Sequence, residues 1–96
     1  MNNELKDLRK EIDEIDDELV ALMEKRMAVV GKIAEKKKNA GLPISDKQRE
    51  LEIVTRLRTK SGKLFSPYVS EFYRTVFELS KNSQREYLGR KEEKKL

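Results

Sequence analysis

The chain has 96 residues, of which 42% are charged and only 36% hydrophobic, and it contains no tryptophan, cysteine or histidine. A single domain of this size buries only about 60–65% of the surface that its unfolded form exposes. We therefore expect an obligate oligomer, in which a second copy completes the apolar core. The absence of cysteine and histidine excludes disulfides, thiol nucleophiles, histidine general bases and almost every transition-metal site.

Charge is interspersed along the chain, with 22 basic and 18 acidic residues and a formal charge of +4, which is typical of solvated helix surfaces. The basic runs at 36–38 and 90–95 lack interleaved aromatic residues, so we expect no nucleic-acid binding. No early apolar run resembles a signal peptide, and no stretch approaches the roughly 20 apolar residues of a membrane span. The expected location is the cytoplasm, without membrane contact.

The first predicted element is one long helix. Its apolar residues recur in alternating steps of three and four, which is typical of the seam of a helix packed along another helix. Helix-favouring residues extend to about Lys38, and residues 39–43 then end the helix through a glycine cap and a proline. The seam consists of Leu5, Leu8, Ile12, Ile15, Leu19, Leu22, Val29 and Ile33.

The second predicted helix opens at Ser45 or Asp46, because residues 45–48 have the pattern of a capping box. It continues to about Ser61 and Gly62, where glycine favours an end. Its apolar residues are Leu51, Ile53, Val54 and Leu57.

The third predicted helix begins with Ser66 as N-cap and Pro67 at the first helical position. Beyond about Tyr87 we expect the chain to fray, so the prediction is a helical domain over 1–88 and a charged tail over 89–96. No strand pattern or repeat competes with this reading, and the predicted fold class is all-α with three helices per chain. The residues expected to face inward are Val69, Phe72, Tyr73, Val76 and Phe77.

Polar residues interrupt the apolar pattern of two helices. Four residues after Leu22 the first seam reaches Arg26, a costly placement unless the charge finds a partner. Lys37 follows eleven residues later, about 1,100° around the helix and so within roughly 20° of the same face. The apolar stripe of the third helix likewise continues to Ser80 and Gln84 in steps of four.

The second helix places both signs of charge beside an apolar residue, because Asp46, Arg49, Glu50 and Ile53 share a face by their spacing.

Each polar feature has a structural alternative. A seam arginine often forms a buried salt bridge or specifies an oligomer, and Ser80 could bend its helix while Gln84 is a half-exposed amide. Arg49 beside Glu50 is common on surfaces. Their coincidence on all three helices favours a site between helices for an anion that carries a hydroxyl.

Arg9 stands seventeen residues before Arg26, which is about 25 Å along a helix. The two arginines therefore cannot hold one small ligand within one chain. If two first helices pair antiparallel about residues 17–18, Arg9 of one copy comes level with Arg26 of the other. This arrangement predicts two shared sites per dimer.

The sequence closely resembles the all-helical (AroQ-type) chorismate mutases over nearly its whole length. That resemblance implies an intertwined helical homodimer that converts chorismate to prephenate without a cofactor, in the biosynthesis of phenylalanine and tyrosine. The matching residues are the run at 8–13 (Leu-Arg-Lys-Glu-Ile-Asp), Asp16, Leu22, Arg26, Lys37, Pro43, Ile44, Asp46, Arg49, Glu50, Ser80 and Gln84.

The resemblance also implies a role for each site residue. Arg26 and the partner's Arg9 resemble the arginines that hold the two substrate carboxylates. Lys37 and Gln84 resemble the donors to the ether oxygen that bridges the ring and the enolpyruvyl group. Glu50 and Asp46 match residues near the ring hydroxyl of the substrate, and Ser80 matches a contact to a carboxylate. Arg49 matches a residue that supports the site. The catalytic set is Lys37, Gln84, Arg26 and Glu50.

The implied reaction fits the composition, because a [3,3]-sigmatropic rearrangement needs no nucleophile, metal or proton relay. Two alternatives stay open. An isochorismate pyruvate-lyase on the same fold would keep the cations but needs no acid facing the hydroxyl, and a non-enzymatic helical module would use Arg26 and Gln84 only to set pairing. Docking to another shikimate-pathway enzyme is also compatible with the sequence.

Overall fold

The computed structural model describes the backbone of residues 2–95 and the side chains of residues 3–90. Its secondary structure confirms the predicted all-α class with three helices, and no strand occurs within the described backbone. The elements are α1 (Asn2–Asn39), α2 (Lys47–Lys60), a short 3₁₀ helix (Ser66–Tyr68) and α3 (Val69–Lys95).

The end of α1 follows the predicted glycine cap. Gly41 has a positive φ of 69°, a conformation that glycine adopts without steric cost. The Leu42 N–H donates to the Lys37 carbonyl at 2.8 Å and the Gly41 N–H donates to the Lys38 carbonyl at 3.1 Å. These two bonds form a Schellman motif, which satisfies the last carbonyls of the helix and turns the chain back toward α2.

The start of α2 decides between the two predicted caps. Asp46 is the N-cap, and its Oδ1 accepts a hydrogen bond from the Arg49 N–H at 3.0 Å. The capping box at Ser45 is therefore wrong by one residue. A carboxylate at the helix N-terminus also interacts favourably with the helix dipole, which favours Asp46 over the neutral serine.

The prediction of Ser66 as the N-cap of the third helix is wrong. Ser66 already lies inside the 3₁₀ helix, whose N-cap is Phe65 without a side-chain hydrogen bond. The Ser66 N–H donates to the Gly62 carbonyl at 3.0 Å, so the turn starts several residues earlier than the sequence pattern indicates. Pro67 does occupy the first helical turn, where its missing N–H costs nothing.

Helix α3 continues to Lys95, past the position after which the sequence predicts fraying. Lysine, glutamate and arginine dominate this segment and are good helix formers. The helix therefore passes the predicted boundary between 88 and 89 without a break. Residue 96 lies outside the described backbone.

The core of the chain is small, and α3 lies at its centre in contact with both α1 and α2. Phe72, which was predicted to face inward, is 43% exposed, because it lies at the margin of the core. Its ring packs edge-on against Phe65 and Tyr73 there. The buried apolar side chains are Val30 and Ala34 of α1 and Val69, Val76 and Phe77 of α3.

The shape of the chain is extended. Its dimensions are 60 × 31 × 15 Å and its radius of gyration is 17.5 Å, whereas a compact domain of this length has a radius of about 12–13 Å. Residues 3–22 of α1 are all exposed, and the predicted seam is 43–62% exposed along its length. None of the described helices is both long and apolar enough to cross a membrane.

Helices α1 and α3 approach closely at Gly31. A Cβ at this position would lie 3.3 Å from two ring carbons of Tyr87, whereas a Cβ at Gly89 would meet nothing within 4 Å. Alanine stabilises a helix interior relative to glycine by roughly 0.5–1 kcal/mol. We therefore expect Gly89→Ala to raise the free energy of unfolding by this amount. Gly31→Ala should show no such gain, because its methyl group is crowded by the Tyr87 ring.

Urea denaturation of Gly31→Ala in the wild-type and Tyr87→Ala backgrounds tests this packing. The full gain should return when the ring is removed. An equal gain in both backgrounds would show that Gly31 is not a point of close approach.

Candidate active site

A cavity of about 350 Å³ lies between the three helices and the segment that joins α1 to α2. This volume falls within the range of small-molecule sites. Apolar side chains from all three helices form much of its wall. Seven of the eight residues predicted for the site line this cavity, namely Arg26, Lys37, Asp46, Arg49, Glu50, Ser80 and Gln84.

Arg26 enters the cavity from α1 and is partly buried. Its Nη1 donates to the Ser80 hydroxyl oxygen at 2.5 Å, and that hydroxyl donates to the Val76 carbonyl at 2.7 Å. Among the described residues Arg26 forms no ion pair. Since a guanidinium carries five N–H donors, the arrangement fixes the cation in place and leaves donors for an anion.

Lys37 lies eleven residues further along α1 and lines the same cavity, as the spacing predicts. Its Nζ donates to the Ile44 carbonyl at 2.8 Å. Because the Schellman turn brings residue 44 back beside the helix, this carbonyl anchors the ammonium. Two of the three ammonium donors remain for a ligand.

Gln84 is only 6% exposed, and its Oε1 has no hydrogen-bond partner among the described residues. An unsatisfied buried polar atom costs roughly 1–3 kcal/mol, so this amide is not explained by packing. A half-turn of the amide exchanges its oxygen and its NH₂ group. The side chain can therefore present either an acceptor or a donor to a bound molecule.

The second helix supplies the acidic wall of the cavity. Glu50 is partly buried and lies 3.3 Å from Lys81 Nζ of α3. The carboxylate of Asp46 is exposed and caps α2. Arg49 is also exposed, and its Nη1 lies 3.5 Å from Glu52.

Arg9 does not reach the cavity. It is exposed on the part of α1 that projects beyond α2 and α3. Since α1 is one continuous helix, Arg9 and Arg26 are separated by about 25 Å of rise. The structure of one chain therefore brings together every predicted site residue except the one that was assigned to a second copy.

Two polar contributors to the cavity were missed by the sequence analysis. Lys81 follows Ser80 and is four residues after Phe77, a spacing that places it on the cavity side of α3 and that could have identified it. The Ile44 carbonyl gives no sequence signal, since any residue has one. Within the described part of the chain, no cluster of three or more acidic side chains could hold a metal ion.

The family model for chorismate mutase type II matches residues 8–85. A chorismate mutase of Methanocaldococcus jannaschii is 32% identical over 90 residues, which cover 92% of this chain and 91% of that relative. The site residues within one chain all lie inside the matched range, and so does Arg9.

Longer relatives match a smaller part of the chain. A bifunctional chorismate mutase/prephenate dehydratase of Aquifex aeolicus is 46% identical over 54 residues, 56% of this chain and 15% of the relative. The T-protein of Haemophilus influenzae is 41% identical over 59 residues, 62% of this chain and 16% of the relative. No solved structure gives a significant match. The family match and the near full-length relative agree, and the chain belongs to the chorismate mutase type II family.

Proposed function

We propose that this protein is a cytoplasmic chorismate mutase, which converts chorismate to prephenate by an intramolecular [3,3]-sigmatropic rearrangement in phenylalanine and tyrosine biosynthesis. Membership of the family supports this function. The observation that carries it is the cavity itself, where Arg26 and Lys37 are held by neutral oxygen atoms beside the buried amide of Gln84. Such a site is built for an anion that also needs a hydrogen-bond donor.

The reaction breaks a C–O bond and forms a C–C bond in one step. The substrate carries two carboxylates, and negative charge develops on its ether oxygen in the transition state. Catalysis therefore requires that the substrate be held in its chair-like reactive shape and that cationic or polar donors face the ether oxygen. The residues of the cavity offer both functions without a cofactor.

The carboxylate clamp is assigned to Arg26 and to the partner's Arg9. Arg26 is preorganised by Ser80, whose proton is engaged by Val76. A direct bond from Ser80 to a substrate carboxylate requires this hydroxyl to rotate away from Val76. Ser80 thus has two possible contributions, as a support for Arg26 and as a direct contact.

The donors to the ether oxygen are Lys37 and Gln84. Lys37 is fixed by the Ile44 carbonyl, and the Gln84 amide is buried, so both groups are placed before the substrate arrives. Preorganised donors of this type contribute roughly 3–4 kcal/mol each to transition-state stabilisation. Glu50 and the segment around Asp46 face the ring hydroxyl in this assignment, and Arg49 supports that wall.

The exposed seam of α1 supports a homodimer. A row of apolar side chains that are 43–62% exposed is costly in water and is buried when a second helix packs along it. Antiparallel pairing about residues 17–18 places the partner's Arg9 level with Arg26. Each site is then completed by the other subunit.

Incubation of the purified protein with chorismate, followed by separation of the products, tests the function. We expect prephenate and no pyruvate. Pyruvate with an aromatic acid would instead show the lyase, which the carboxylate of Glu50 in the cavity disfavours. Unchanged chorismate would show that the protein is a helical interaction module.

We expect Gln84→Glu to be active only in acid. A protonated carboxyl donates to the ether oxygen, whereas a carboxylate repels the negative charge that develops there. Activity should therefore be present below the pKa of the introduced carboxyl and fall by roughly 10²–10³-fold as pH rises through it, the loss expected when one such donor is removed.

The pH profile of kcat/KM checks this prediction, with the wild type as the control that lacks the acid-only profile. Equal activity of Gln84→Glu at neutral and acidic pH would remove the ether-oxygen role from Gln84.

The shared site predicts complementation between two inactive variants. Arg9→Ala and Arg26→Ala homodimers should each be nearly inactive. After the two are unfolded together and refolded, half of the randomly paired dimers are hybrids with one intact site, so activity should return to about a quarter of wild type per site.

Each variant refolded alone serves as the control, and mass spectrometry measures the fraction of hybrids. A mixture that contains hybrids but remains as inactive as its parents would disprove the antiparallel arrangement and leave Arg9 as a surface residue.

A further inference from the structure

Lys81 of α3 joins the cavity wall through Glu50 of α2. Its Nζ lies 3.3 Å from Glu50 Oε2, and the two side chains are 24% and 27% exposed. Both residues line the cavity, and both also line a groove on the outer side between α2 and α3. The ion pair, together with Phe77, therefore separates the cavity from the outer groove.

The charges around Glu50 make this position unusual. A carboxylate without a fixed partner here has three cations of the cavity as alternative partners. Pairing with Arg26 would occupy a donor to a substrate carboxylate, and pairing with Lys37 would occupy a donor to the ether oxygen. Either pairing would also turn Glu50 away from the ring hydroxyl. The alternative partners are Arg26, Lys37 and Arg49.

Lys81 also sets the net charge that a dianionic ligand meets. With Lys81 the cavity is lined by four cationic and two acidic side chains, which gives a formal charge of +2; without it the charge is +1. Since partly buried charges interact through a lower effective dielectric than water, the charge of Lys81 also makes a smaller, direct contribution to the binding of an anion. The cations are Arg26, Lys37, Arg49 and Lys81, and the acids are Asp46 and Glu50.

We infer that Lys81 is a positioning residue that holds the Glu50 carboxylate turned toward the substrate hydroxyl, and that it keeps Glu50 from pairing with Arg26, Lys37 or Arg49. This role rests on the proposed chorismate mutase function. It acts on substrate binding more than on the chemical step, because the ring hydroxyl takes no part in bond breaking or bond making.

Steady-state kinetics of Lys81→Met with chorismate tests the role. We expect KM to rise roughly ten-fold while kcat changes by less than about three-fold, the signature of lost uniform binding. KM does not depend on the concentration of active enzyme, so partial unfolding of the variant does not produce this result. Lys81→Arg keeps the charge and should restore KM to within about three-fold of wild type.

The double variant identifies Glu50 as the group through which Lys81 acts. In the Glu50→Gln background, Lys81→Met should raise KM by only about three-fold, the direct contribution of its charge, because the residue that it positions is already neutral. Lys47→Met is the matched control. Lys47 carries the same charge and lines the outer groove but not the cavity, so its KM should equal that of wild type.

Three outcomes would overturn the inference. An unchanged KM for Lys81→Met in an active enzyme removes the role of Lys81 and leaves the mutase function intact. Additive effects of the two substitutions show that Lys81 acts on the substrate directly and not through Glu50. Absence of prephenate formation by the wild type overturns the proposed function, and this role with it.

Discussion

The hydrogen bond from Arg26 to Ser80 is the interaction on which the site depends. A guanidinium at a helix interface is costly unless its charge is compensated, and here its described partner is a neutral hydroxyl. Ser80 can accept this bond because its own proton is engaged by the Val76 carbonyl one turn earlier in α3. The chain thus fixes the cation without neutralising it, and the compensating charge is left to a ligand.

The packing of α1 on α3 makes this bond possible. Val30 and Ala34 bury the side of α1 that faces α3, and Gly31 allows the Tyr87 ring to approach the helix backbone. The Schellman turn at Gly41 then places the Ile44 carbonyl against Lys37. These contacts occupy only the C-terminal part of α1. Residues 3–22 are all exposed, together with the apolar seam that they carry, which is why we infer that a second subunit completes both the core and the site.

Much of the fold follows from local signals. The three-and-four periodicity of α1 and the glycine and proline after it predict that helix and its end. The polar residues in two apolar stripes predict four residues of the cavity, and the spacing of charged residues in α2 predicts three more. The signals fail where tertiary packing overrides a local motif. Ser66 has the form of an N-cap, but the preceding turn already contains it. The charged tail is a different case, because the local propensity of its own residues favours the helix that continues to Lys95. The seam pattern identifies Val29 and Ile33, yet the neighbouring face with Val30 and Ala34 makes the contact with α3. A single sequence stripe does not reveal that α1 has two packing faces.

Lys81 illustrates a further limit of the sequence. In a chain with 22 lysine and arginine residues, the spacing of Lys81 from Phe77 indicates its side of α3, but its pairing with Glu50 depends on how α2 and α3 cross. The backbone carbonyl of Ile44 is invisible for the same reason. Residue types and spacing identify groups that break an expected pattern, whereas groups that conform to the pattern become visible only through the three-dimensional contacts.

The most direct test of this account is a crystal structure of the protein with prephenate bound. The account predicts a dimer with antiparallel α1 helices, and the ligand in the cavity with one carboxylate on Arg26 and the other on the partner's Arg9. Lys37 and Gln84 should lie on the side of the substrate's ether oxygen. Prephenate bound elsewhere, or bound in this cavity with the partner's Arg9 out of reach, would contradict it.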